Sequence, residues 1–142
     1  MKMKIPPQIK VYGKQVKGKQ PSEGSEQITF FAQLEKRYPV IFKVATHIKN
    51  EGRKTFQQAQ KDKLMGLVKG ASDIVIPGCP SLLIEMKSKD VKSKASTEQI
   101  EYLLNAQALG SSVCIAYGWE AALQAVGEWV NASNNNRLAS AL

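Results

Sequence analysis

The sequence predicts an α/β domain in which helices flank a mixed sheet. Three stretches carry that expectation. Residues 66–87, GLVKGASDIVIPGCPSLLIEMK, hold two short runs of β-formers on either side of a Pro/Gly turn and read as a β-hairpin. Residues 96–110 open with a capping-box pattern, Ser96 with Gln99 three residues on. They continue with Ile100, Leu103, Leu104 and Ala108 on one helical face, and close on Gly110. Residues 112–117 are a compact apolar strand, and residues 119–130 return to helical spacing with Ala122, Leu123, Val126 and Val130 inward. Elements alternating in this way bury their apolar faces by layering helices on a sheet.

Taken from the start, residues 1–20 carry Lys2, Lys4, Lys10, Lys14, Lys17 and Lys19 with no acid, and also Pro6, Pro7, Gly13 and Gly18. No packed element is expected there, so residues 1–22 read as a flexible basic arm, either a solvated tail or a grip on DNA. Ser25 can cap a helix running to Tyr38, with Ile28, Phe31, Leu34 and Tyr38 on one face and Pro39 ending it. Glu26 falls in its first turn, where a carboxylate suits the helix dipole without any further role. Residues 40–48 are β-branched and aromatic enough for a strand, which Asn50, Glu51 and Gly52 then break. His47, the only histidine, reads as packed or hydrogen-bonded rather than a ligand.

Residues 53–67 give a weaker helical stripe through Phe56, Ala59, Lys63, Leu64 and Leu67. After the hairpin, residues 88–96 form a flexible loop whose Lys89, Lys92 and Lys94 are either solvated or in contact with phosphates. The tryptophans read as core anchors. Residues 131–142, with NASNNN among them, form a fraying tail. The expected order is helix, strand, weaker helix, two strands, helix, strand, helix.

Length and composition bound the function. A chain of 142 residues with 43% hydrophobic content builds one domain, here placed at residues 23–130. A formal charge of +8 favours a polyanionic partner, with nucleic acid ahead of an anionic membrane. No apolar run approaches the ~20 residues that span a bilayer, and no signal-peptide core follows the lysine-rich start, so a cytoplasmic protein is expected. Cys79 and Cys114 stand far apart without a CxxC pair, which argues against a zinc site or a disulfide framework. No GxGxxG, GxxxxGK[ST] or Ser/His/Asp grouping competes for the chemistry.

That chemistry centres on the hairpin. Folding symmetrically about Cys79 pairs Ile76 with Leu82 and so sets Asp73 opposite Glu85, with Cβ atoms roughly 4.5–5.5 Å apart. Strand alternation puts Lys87 on the same face, with Ile84 and Met86 on the other. Two carboxylates at about 4 Å repel by on the order of 4 kcal/mol at an effective dielectric near 20. Such a pair either raises one pKa or recruits a hard cation, which Mg²⁺ satisfies through carboxylates, water and phosphate oxygens. A neighbouring lysine then orients water for phosphodiester hydrolysis.

Together, GLVKGASDIVI, LLIEMK, a lysine-rich loop, STEQ and a helix closing at ALG resemble the VRR-NUC, or virus-type replication-repair nuclease, family of the PD-(D/E)XK superfamily. The resemblance covers nearly everything from residue 23 to residue 130. It implies a restriction-endonuclease-like α-β-β-β-α-β core. It also implies that Asp73 and Glu85 are metal ligands, with the main-chain carbonyl of Met86 completing the set and Lys87 as the catalytic lysine. Glu51, in its NEG segment, matches the family's upstream acid, and Glu26 the first-helix acid of related nucleases. Gln99 matches the family's helix glutamine near the site, and its place in the capping box explains it equally well. One departure is Ser72, where the family commonly has proline before the aspartate; serine still allows the extended backbone. Stand-alone members resemble Holliday-junction resolvases, which implies a homodimer acting on branched DNA.

The leading expectation is therefore a Mg²⁺- or Mn²⁺-dependent DNA endonuclease acting on structured DNA. Its alternative is a non-catalytic nucleic-acid-binding protein on the same fold.

Overall fold

The computed structural model describes residues 4–48 and 54–132. Its strands are β1 (Lys10–Tyr12), β2 (Thr46–His47), β3 (Ile74–Ile76), β4 (Leu82–Lys87) and β5 (Ser112–Tyr117). Its helices are α1 (Glu23–Arg37), α2 (Pro39–Phe42), α3 (Phe56–Leu64), α4 (Thr97–Ala108) and α5 (Trp119–Asn131). The strands form one mixed sheet in the order β1-β5-β4-β3-β2. β1, β5 and β4 run parallel, whereas β3 is antiparallel to both β4 and β2. The α/β expectation and the order of its main elements hold.

Strand alternation divides the core in two. Ile74 and Ile76 of β3, Leu82, Ile84 and Met86 of β4, and Cys114 and Ala116 of β5 face one side. There they pack under Phe30 and Leu34 of α1, Ile41 of α2, and the Ala121–Val130 stripe of α5. Leu83 of β4 and Val113, Ile115 and Tyr117 of β5 face the other side, under Ile100 and Leu103 of α4. β4 is covered on both faces, so all six of its residues are buried. Trp129 is a core anchor as expected, with its indole N–H donating to the Pro80 carbonyl at 2.8 Å and holding the hairpin turn against α5. The cysteines are both free: Cys79 sits exposed in the turn and Cys114 is buried.

Several local expectations are corrected. The cap of α1 is Ser22, whose hydroxyl accepts from the Ser25 N–H at 3.1 Å. Starting three residues earlier, the helix buries Glu26, Phe30 and Leu34 and leaves Ile28 74% exposed. Of residues 40–48, only Thr46 and His47 are strand, because Pro39 starts a further helical turn at a position where its missing N–H costs nothing, and Ile41 then drops into the core. α3 forms within its expected range, capped by Thr55, but the expected stripe buries nothing.

The largest correction concerns the basic arm. β1 adds parallel to the edge of β5, with Ile9 buried beside it. Val16 then bridges to Asp90, and the Gln15 amide donates to the carbonyls of Asp90 at 2.9 Å and Ser93 at 2.6 Å. Ser88 donates to the Pro21 carbonyl at 3.0 Å. The 88–96 loop, expected to be flexible, is thus tied down by the segment that precedes α1. Residues 133–142, within the expected fraying tail, lie outside the described residues.

Candidate active site

The hairpin register is the expected one: Ile74 opposes Ile84, Val75 opposes Leu83 and Ile76 opposes Leu82. One step further, Asp73 comes opposite Glu85 on the α4 side of the sheet. The Met86 N–H donates to Asp73 Oδ2 at 3.0 Å, which fixes the carboxylate against β4. A strand residue presents its N–H and C=O to the same neighbour. The Met86 carbonyl therefore leaves β4 on the Asp73 side, while Lys87 turns the other way and accepts from the Gly118 N–H at 2.9 Å. The backbone of Asp73 is held from β2, its carbonyl accepting from the Ile48 N–H at 2.8 Å and from His47 Nδ1 at 2.9 Å. A carbonyl can only accept, so His47 carries its proton on Nδ1 and is the hydrogen-bonded residue expected of it.

Glu85 is fully buried, and neither of its oxygens meets a hydrogen-bond donor among the described residues. Its pKa is pushed up to about 11, first by desolvation, then by hydrogen bonding and charge from Asp73, with Lys87 partly offsetting the shift. As a carboxylate Glu85 finds no donor, and only when protonated can it donate to Asp73. Burial thus favours the protonated form of Glu85; a hard cation satisfies the same oxygens without a proton. The donor set, two adjacent carboxylates and a strand carbonyl on one edge, fits Mg²⁺ or Mn²⁺. Among the described residues no cluster of three or more His, Cys, Asp or Glu forms a metal site, and Glu51 lies outside them.

Lys87 is 5% exposed, with Nζ 3.9 Å from Glu23 Oε1. It lines a polar cleft of about 220 Å³ with Glu23, Asp73, Ser96, Glu98 and Gln99, and residues 69–71 form the remaining wall. Gln99 forms the expected capping box and also lines the cleft. Its side-chain carbonyl accepts from the Ser96 N–H at 2.9 Å while its own N–H donates to Ser96 Oγ, the capping box, and its side chain faces the cleft. Gly70, at φ +83°, lets its loop press on α4: a Cβ there would stand 2.5 Å from the Glu98 carbonyl carbon.

Glu26 is not brought to this cleft. It is buried at the first turns of α1 with Oε2 3.8 Å from Lys89 Nζ, and the space beside it exists because Gly118 has no side chain. Glu23, which the sequence reading passed over, is the α1 acid that reaches the site. Its signal was the competition of Ser22 and Ser25 for one cap: choosing Ser22 puts Glu23 at the first helical position. Lys69 was missed as well, having no pattern of its own beyond its place before Gly70. Lys92 and Lys94 are exposed on the anchored loop and, like Lys89, do not line the cleft.

No protein-family model matches the sequence, and no curated protein matches it. Among solved structures, one titled "VRR_NUC domain protein" superposes with a TM-score of 0.68 at 21% identity, covering 81% of this chain and 91% of that one. The chain has a VRR-NUC-like fold.

Proposed function

We propose that this chain is a divalent-metal-dependent DNA endonuclease acting on structured, branched DNA. The observation that carries the reading is the Asp73–Glu85 pair beside Lys87, in which Glu85 is fully buried and, among the described residues, keeps two oxygens without a donor. The fold it shares with a protein titled as a VRR_NUC domain supports a nuclease over other uses of paired acids. Asp73, Glu85 and the Met86 carbonyl would hold the cation, with Glu51 as a further acid. When bound, the cation supplies Lewis-acid stabilisation of the charge that builds on a scissile phosphate.

The chain's own groups do the rest. Desolvation of Glu85 makes its oxygens costly to leave charged and alone, so the site favours a cation over solvent. Lys87, lodged beside the two acids, points an ammonium into the cleft, where it donates to a phosphate oxygen or holds the attacking water in line. The cleft, at about 220 Å³, suits one solvated phosphate rather than a base pair. Gln99 offers its amide from the α4 N-terminus, where backbone N–H groups also favour an anion. A two-fold dimer would present two such clefts to the two strands of a junction.

The test is incubation of labelled linear, flapped and four-way-junction DNA with and without Mg²⁺ or Mn²⁺, using the wild-type chain and Asp73→Ala. Metal-dependent product on branched DNA, lost in the variant, is expected. Salt-dependent binding with no product under either metal would instead mark a non-catalytic binder.

A further inference from the structure

Beside the cleft lies a broad open groove of about 800 Å³, between α3 and the turn at residues 66–69. Its floor is apolar, from Ala59, Leu67 and Val68, and its rim carries Lys54, Lys63 and Lys69. Among the described residues Asp62 is its one acid, held ionised below the usual carboxylate range by the hydrogen bond from Lys54, whose Nζ stands 2.7 Å away. That pair cancels, leaving Lys63 and Lys69 as the groove's net charge. Phe56, 76% exposed, shares a helical face with Ala59 and Lys63. Lys69 lines both this groove and the cleft, so the two are adjacent. Its partner Glu98, 3.3 Å away, is a surface contact of the kind that a phosphate readily replaces.

An aromatic and an apolar floor between lysines is the chemistry of a single strand, whose bases offer apolar faces and whose backbone offers phosphates. Duplex DNA hides its base faces and would use the lysines alone. A second copy of this chain would bring like-charged rims together. We propose that the α3 groove binds an unpaired strand of the DNA substrate, running from the cleft past Lys69 and Lys63 with a base against Phe56. This rests on the nuclease reading for its substrate, but its test does not.

Anisotropy of a fluorescein-labelled oligothymidine and of a duplex of equal length is measured without divalent cation, so that binding is read with no cleavage. Phe56→Ala, at a position with no buried contact, should weaken oligothymidine binding about tenfold and change duplex binding less than about twofold. Lys63→Ala should lower the salt dependence of oligothymidine binding by about 0.7 in the log–log slope. An unchanged oligothymidine affinity in Phe56→Ala, or equal losses on both DNAs, would overturn the proposal. So would a wild-type dimer in sedimentation that Phe56→Ala converts to monomer with DNA binding intact, since a second copy would then fill the groove. Asp73→Ala, assayed for cleavage alone, tests the nuclease reading separately.

Discussion

Replacing Glu85 by Gln should stabilise the metal-free protein, and increasingly so as pH rises. Glu85 is the reason: it is fully exposed to solvent when unfolded, and in the fold burial pushes its pKa up to about 11 from an ordinary 4.5. Between those values the folded state holds a proton that the unfolded state has released. The unfolded state therefore binds fewer protons, and stability falls as pH rises through that window. At about 1.4 kcal/mol per pH unit, the cost to the wild type reaches about 3 kcal/mol by pH 7, a large share of a domain's ordinary stability. Gln cannot ionise, fills nearly the same volume and donates its amide to Asp73 as a protonated Glu85 does. Urea denaturation of both chains in EDTA from pH 5 to pH 8 reads the difference. The variant should gain on the wild type with each unit and lose the stabilisation that Mn²⁺ gives. Parallel stability profiles, or a variant less stable at pH 8, would refute the raised pKa of Glu85.

Lys87→Ala should reduce cleavage at least a hundredfold, as loss of a group acting on the reacting phosphate does, with the melting temperature holding the fold to account. Gln99→Glu keeps an acceptor for the Ser96 N–H and so should melt within a few degrees of wild type, yet cleave slowly, because it sets a new negative charge where the phosphate binds; equal activity would leave Gln99 a cap alone. Ser96→Ala removes that cap and should cost about 1 kcal/mol in urea denaturation. Gly70→Ala forces a Cβ against Glu98 at a positive φ and should destabilise by about 1–3 kcal/mol, with cleavage falling as the cleft wall shifts.

The centre of the site was legible because it is local. Two β-forming runs around a short turn admit one symmetric register, and that register alone sets Asp73 against Glu85 with Lys87 two residues on. The α4 capping box was equally local, spanning Ser96 to Gln99. What was not legible depends on distant partners. β1 is three residues long and exists because β5 offers an edge, and Gln15 finds its acceptors 75 and 78 residues away, so nothing near it in sequence marks it as an anchor. Residues 39–42 are apolar without alternation, a pattern shared by buried strands and buried helical turns. Glu23 was lost because Ser25 was read as the cap of α1, whereas Ser22 caps it. α3 shows the converse case: its stripe was read correctly as helical, but burial depends on something to pack against, and Phe56 and Leu64 stay exposed among the described residues.

The central claim is that Asp73 and Glu85 hold a divalent cation used to cut DNA. Single-turnover cleavage of a labelled four-way junction against Mn²⁺ concentration, for wild type and Glu85→Gln side by side, tests it most directly. Saturable metal-dependent cleavage is expected in the wild type and none in the folded variant at any concentration. Equal cleavage by both chains would contradict it.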